Sequence, residues 1–445
     1  MALVSPTVGA VNETRSTAWA GMCRIRCSFR QANGVLQQVP RPNDKRLAIR
    51  LTPDALRQVR GGHPWVYDDS ITSVSHPGVA GDLAVIFDTD RQFAAIGLWD
   101  PASPIRLKVL HSGRPASIDG AWWRRKLQAA LDLRAPLLAS GQTTGFRWIN
   151  GENDGFPGLV LDRYGDTVVI KLYSAAWFVH LHELVPAIAE VGRPEALILR
   201  FSRGVASDKT WGLDEGDALI GVTPPDPVMF LENGLIFEAD VVHGQKTGHF
   251  LDQRDNRQFL RGLADGARTL DMFASTGGFS IYAAAGGAGQ VTSVDMSEPT
   301  LAVASRNMAH NQGNHAVAAT EHRTIVGDSF EVMDRLARAH ERYDIVIVDP
   351  PSFAQRQTSV DRGVQAYAQL TERAVKLLKP DGLLVQASCS SRIPAELFYA
   401  TVRGTVQRTG HDLEELRRTG HALDHPVTFA HGEYLKAVFG RVTAL

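Results

Sequence analysis

The stretch TLDMFASTGGFSIYAAAGGAGQVTSVDMSEPT, residues 269 to 300, constrains the fold more than any other. An apolar run ends at Asp271, a loop closes on Gly277 and Gly278, a small-residue segment follows, and a second apolar run, VTSVD, ends at Asp295. This order reads as strand, loop, helix, strand, the unit from which parallel sheets are built. Paired glycines let a backbone approach a ligand because no Cβ intervenes, and an acid roughly twenty residues beyond the loop suits a ribose diol. The loop lacks the G-x-G-x-x-G spacing of a dinucleotide site, the one G-x-G (Gly287 and Gly289) precedes a strand, and no G-x-x-x-x-G-K-[ST] occurs. The expected ligand is therefore a nucleoside without a pyrophosphate, which points to S-adenosylmethionine. The competing reading is a tight turn in an unliganded α/β sheet.

At 445 residues the chain exceeds the usual single-domain range, so two or three domains are expected. A formal net charge of −1 argues against a polycationic binder but leaves room for a local basic face. No apolar run approaches the ~18 residues of a membrane span, so no membrane partner is expected. Cys23, Cys27 and Cys389 form neither a zinc pattern nor a disulfide framework, so no metal is expected and a reducing cytoplasm fits.

Residues 1–44 carry Arg15, Arg24, Arg26, Arg30 and Arg41 with few acids and little periodicity, and disorder is the expectation there. From Lys45 to about 120, short alternating strands and the capped helical stretch TPDALRQVRGG predict a small β-rich domain. Its first turn gathers Lys45, Arg46, Arg50, Arg57 and Arg60, followed by Trp65 and Tyr67, a mixture suited to phosphate contact and base stacking. A solvated helix face beside an ordinary core is the alternative. Residues 121–225 read as an α+β middle domain, and 226–445 as a doubly wound parallel α/β sheet.

Ligands of such sheets sit outside the carboxyl ends of the strands, so the polar residues there matter most. Asp271, Asp295, Asp328 and Asp349 end four successive strands, and SCSS with Cys389 ends the fifth. A single strand-end Asp is more often a helix N-cap; the coincidence of five placements weakens that reading. Pro350 and Pro351 rigidify the loop after Asp349, whose carboxyl can bond a nucleobase. Buried cysteines are usually inert, but Cys389, at a strand end opposite an acid, is a candidate nucleophile.

DMFASTGGFS, SVDMS, VDPPSFA and SCS, with GQKTGHFLDQRDNR upstream and DHP and GEYLK near the end, resemble the bacterial 23S rRNA cytosine-carbon-5 methyltransferases of the RlmI-like group. The resemblance covers residues 45–445, with RLTPDALRQVRGGHPWVYDDSI similar to that family's RNA-binding PUA domain and NGENDGFPGLVLDRYGD to its middle domain. It implies a Rossmann-like methyltransferase domain that uses S-adenosylmethionine and acts on ribosomal RNA before full subunit assembly; a homodimer is compatible with it. Cys389 would add to carbon 6 of cytosine, with Asp349 and the Pro350-Pro351 loop holding the base. Asp271, Phe273, Gly277 and Gly278 would hold the methionine end of the cofactor, Asp295 the ribose and Asp328 the adenine. Phe250, Asp252 and Arg254 would close the pocket from outside the sheet. Two other classes stay open: a guanine-nitrogen methyltransferase that does not need Cys389, and a non-catalytic RNA-binding protein with a relic cofactor pocket. The base that removes the carbon 5 proton is not named by the sequence.

Overall fold

The computed structural model describes residues 34–205, 209–354 and 356–445. Cys23, Cys27 and four of the leading arginines lie outside the described residues. The chain forms two compact units, one of residues up to 133 with 154–226 and 241–243, the other of 134–153, 227–240 and 244–445. The middle segment is thus shared: residues 121–133 and 154–225 fall in the first unit and 134–153 in the second. The α+β domain of 121–225 remains our proposal from the sequence.

In the first unit, β1 (Leu47–Leu51), β2 (Trp65–Tyr67), β3 (Ile71–Val74), β4 (Leu83–Phe87), β5 (Phe93–Trp99) and β6 (Ile105–Ser112) form one sheet in the order β2-β6-β5-β4-β1-β3. Alternation sends Leu47 and Ile49 inward and leaves Lys45, Arg46 and Arg50 exposed. The helix Pro53–Arg60 starts where Thr52 accepts a bond from Ala55 N and proline occupies the first turn, and it stops at Gly61. It buries Val59 against Val66, Ile86 and Leu107. Leu36 and Val39 are also buried, and Val39 O bonds His182 Nε2 at 2.8 Å, so the packed part of the first unit includes residues ahead of Lys45.

In the second unit, β7 (Gly145–Asn150) is followed, after the first unit's β8 (Leu159–Tyr164), β9 (Thr167–Leu172), β10 (Ala196–Phe201) and β11 (Ala218–Ile220), by the hairpin of β12 (Val228–Glu232) and β13 (Leu235–Ala239). Its turn residues Asn233 and Gly234 both have positive φ, 50° and 80°, as a two-residue hairpin whose twist matches its strands requires. Then come β14 (Arg268–Met272), β15 (Gln290–Asp295), β16 (Glu321–Val326), β17 (Tyr343–Val348), β18 (Leu378–Ser388), β19 (His411–Thr419) and β20 (Lys436–Ala444), ordered β16-β15-β14-β17-β18-β20-β19. The first five are parallel, and β20 runs antiparallel between β18 and β19. Leu270, Met272, Val294, Val346, Val348 and Leu384 are fully buried, the continuous apolar pattern of strands covered on both faces. Chain order reverses between β14 and β17, which opens a crevice at their carboxyl ends.

Candidate active site

That crevice is a cavity of about 290 Å³ lined by residues from four strand ends and from the segment before β14, among them Asp295, Asp349, Cys389, Phe273, Gly278 and Asp252. Its volume suits small ligands and is far too small for a helical nucleic acid.

The loop after β14 is shaped by Gly277, whose φ of +80° favours glycine and whose Cβ, if present, would lie 2.7 Å from Ile281 Cδ1 and 2.8 Å from Ala304 Cβ. The helix Gly278–Ala285 starts there and presents its N-terminus beside the cavity. Asp295 ties the loop to the next one, accepting from Ser275 N and Ser297 N, each at 3.0 Å. Ser275 Oγ is buried at the cavity without a hydrogen-bond partner. Open backbone approach, an orphaned hydroxyl and an acid at the second strand fit an S-adenosyl ligand.

Asp349 and Cys389 reach the cavity from neighbouring strands, in which Val348 pairs with Gln386. Cys389 Sγ contacts Pro350 O at 3.8 Å, and Pro350 and Pro351 line the same space. Burial, then the Asp252 carboxylate, pushes the Asp349 carboxyl up to about 7 against the opposing charges of Lys246 and Arg257. Burial and the Asp349 charge push the Cys389 thiol up to about 11, with Lys246 acting the other way.

Phe250, Asp252 and Phe273 line the cavity, whereas Asp271, Gly277, Asp328 and Arg254 do not. Asp271 is buried beneath the loop, accepting from Ser280 Oγ at 2.6 Å, and burial raises its carboxyl to about 7, with Ser280 opposing. Gly277 shapes the turn while Gly278 meets the cavity. Asp328 caps the helix Ser329–Arg338, accepting from Phe330 N at 2.9 Å and Glu331 N at 3.2 Å. Arg254 is fully buried against Asp424.

Arg257, one turn beyond Arg254, faces the cavity instead. It donates to both oxygens of Glu232 (2.9 and 2.7 Å) and to Phe250 O (2.9 Å). The i, i+3 spacing in RDNR is the signal in the sequence that could have found it. Lys246 also escapes sequence reasoning: it bonds Asp252 Oδ2 at 3.0 Å and lies 4.3 Å from the Phe250 ring centroid. Lys436, buried at the start of β20, donates to Ser390 O at 2.5 Å and Ile393 O at 2.7 Å, which fixes the loop after Cys389.

The basic residues of the first unit divide into two groups. Arg57 pairs with Asp54 and Arg60 with Asp88, both at 2.6 Å, and these two are exposed, as are Lys45, Arg46 and Arg50. Trp65 is half-buried with its ring 5.9 Å from that of His63, and Tyr67 is 41% exposed. No helix among the described residues is long and apolar enough to cross a membrane.

A family of S-adenosylmethionine-dependent methyltransferases matches residues 203–424, and a PUA-like domain matches residues 49–112. A ribosomal RNA large subunit methyltransferase of Deinococcus radiodurans is 46% identical over 405 residues, 90% of this chain and 98% of that protein. A ribosomal RNA large subunit methyltransferase I of Alteromonas mediterranea is 33% identical over 399 residues, 89% of this chain and 98% of that one. A crystal structure of a methyltransferase complexed with SAH is 24% identical, covers 89% of this chain and all of its own (100%), and shares the fold with a TM-score of 0.75.

Proposed function

The chain belongs to the S-adenosylmethionine-dependent ribosomal RNA large subunit methyltransferase family, and on that basis we propose that it methylates carbon 5 of a cytosine in 23S ribosomal RNA through a covalent bond to Cys389. The observation that carries this reading is the meeting of a strand-end thiol and a strand-end carboxyl, Cys389 and Asp349, in the cavity that the Gly278 loop also lines.

Carbon 5 of cytosine is a poor nucleophile. A thiolate that adds to carbon 6 turns the ring into an enamine whose carbon 5 can attack an electrophilic methyl. S-adenosylmethionine supplies that methyl on a sulfonium. Cys389, its thiol proton given up to water, would form the bond to carbon 6, and the ring's electron pair would join carbon 5 to the methyl carbon as the methyl–sulfur bond breaks, leaving S-adenosylhomocysteine as the thioether. A carboxyl with a pKa of about 7 carries a proton for much of the time near neutrality, so Asp349 donates to ring nitrogen 3 as charge builds there. Protonation of Asp349 also removes the negative charge that helps keep the neighbouring thiol protonated, so the two groups titrate as a pair. Transfer of the carbon 5 proton to a water then re-forms the carbon 5–carbon 6 double bond as the carbon–sulfur bond breaks, which returns the thiolate and gives the nitrogen 3 proton back to Asp349. Lys436 keeps the loop after Cys389 in place, and Lys45, Arg46 and Arg50 give the PUA-like domain phosphate contacts. Such chemistry belongs in the cytoplasm, where ribosomal subunits are made.

RNA carrying 5-fluorocytosine at the modified position tests the reading. Fluorine cannot leave as a proton does, so a denaturant-resistant protein–RNA adduct is expected from the parent and none from Cys389→Ser. Full methylation by Cys389→Ser would instead point to transfer to a ring or exocyclic nitrogen.

A further inference from the structure

Asp252 is 4% exposed and lines the cavity, yet its two oxygens differ in kind. Oδ2 accepts from Tyr434 Oη at 2.8 Å and from Lys246 Nζ at 3.0 Å. Oδ1 is buried and has no hydrogen-bond partner. An unmatched buried carboxylate oxygen is costly, so such an atom marks where a ligand donor is received. We infer that Asp252 Oδ1 accepts the 4-amino group of the target cytosine and is the residue that separates cytosine from uracil.

This rests on the cytosine reading above. Burial alone would raise the Asp252 carboxyl, but the charges of Lys246 and His425 and the Tyr434 hydroxyl hold it well below the usual carboxylate range. An ionised carboxylate only accepts. Asp252, Asp349 and Cys389 line the same cavity, and the Asp252 charge is felt at both of the others. Asp349, by contrast, is pushed up to about 7 and can donate. One carboxyl that donates beside one that accepts matches the N3 acceptor and 4-amino donor of cytosine. Uracil presents the reverse pair, an N3–H donor and an O4 acceptor, and would set O4 against Oδ1. Sites built to bond a particular donor reject analogues lacking it by roughly 10⁴–10⁵ in kcat/KM.

The test begins with deproteinised large-subunit rRNA and tritiated S-adenosylmethionine, which locate the position that the parent modifies. Fragments with cytidine or uridine at that position are then compared. The parent should prefer cytidine by at least about 10³-fold. Asp252→Asn, whose amide can present an N–H, should lower methylation of the cytidine fragment by about 100-fold or more and narrow the preference. Its Kd for S-adenosylmethionine, by calorimetry, should stay within about threefold, which also shows that the variant is folded. An unchanged cytidine preference, or a cofactor Kd weakened about tenfold with activity falling in proportion, would overturn the inference and give Oδ1 to the ammonium of the cofactor. Should Asp252→Asn not fold, a fragment with 2-pyrimidinone at the target, which lacks the 4-amino group, tests the parent alone: binding about tenfold weaker than cytidine is expected, and equal binding overturns the inference. A parent product other than 5-methylcytosine sinks the cytosine reading itself and is told apart by nucleoside analysis.

Discussion

Arg254 and Asp424, 170 residues apart in the chain, face each other through two hydrogen bonds with neither side chain exposed to solvent. The same carboxylate receives Arg147 N at 2.8 Å and His425 Nδ1 at 2.9 Å, while Arg134 donates to Asp424 O at 2.8 Å. Removing one partner leaves an uncompensated charge, so Arg254→Met should destabilise the protein by about 3–5 kcal/mol. Chemical denaturation measures this. The Kd of the folded variant for S-adenosylmethionine should be nearly unchanged, whereas a tenfold loss of affinity at intact stability would return Arg254 to the cofactor pocket.

Asp295→Ala should weaken cofactor binding by about 1.5–3 kcal/mol, the range for hydrogen bonds to a charged partner. Calorimetric titration decides it. Because Asp295 also holds Ser275 N and Ser297 N, an unchanged affinity would reduce its role to joining the two loops.

The Asp349 charge helps hold the Cys389 thiol at about 11, so neutralising it should lower the thiol pKa. Asp349→Asn should therefore bring the midpoint of Cys389 alkylation by iodoacetamide to lower pH in the cofactor-free protein, while methyl transfer falls. Identical alkylation profiles would mean that the two groups do not sense each other.

Asp271 and Asp349 each have a folded pKa raised to about 7, far above an unfolded Asp. The folded chain then binds more protons than the unfolded one between about pH 4 and 7, and stability falls as pH rises through that window. Asp252 and Asp424 act oppositely: their pKa values are depressed against the pull of burial, and the stability they contribute is lost as pH falls below about 4. Melting of the cofactor-free protein should show a maximum on the acid side of neutrality. Asp349→Asn should gain more relative to the parent at pH 8 than at pH 5, and equal gains would contradict the raised pKa.

In the first unit, replacing Lys45, Arg46 and Arg50 together with Gln should weaken RNA binding and flatten its salt dependence by about 0.7 for each single-strand phosphate that is no longer neutralised. Replacing Arg57 alone should do less, since Asp54 already meets its charge. Cofactor affinity serves as the control and should not move.

The residues that were legible in the sequence are those that sheet topology alone positions. An acid or thiol at the carboxyl end of a parallel strand lies at the crevice edge, and from there Asp295, Asp349 and Cys389 face the cavity. The direction of a strand-end carboxylate is not fixed by topology, so Asp271 turns down onto Ser280 and Asp328 turns back onto its own helix. The rest depended on pairings between distant segments. Tyr434 meets Asp252 across 182 residues, and Lys436 meets Ser390 across 46. In the sequence GQKTGHFLDQRDNR and GEYLK marked a resemblance without showing that their side chains converge on one cavity.

The pairing of β18 with β20, in which Ser388 lies opposite Lys436, has a consequence for biosynthesis. Until residues 436–444 have emerged from the ribosome, β18 exposes an unpaired edge and the loop bearing Cys389 lacks the ammonium that holds it. The turn at Gly277 and Gly278 is built from residues that precede that strand, whereas the position of the Cys389 thiol depends on it.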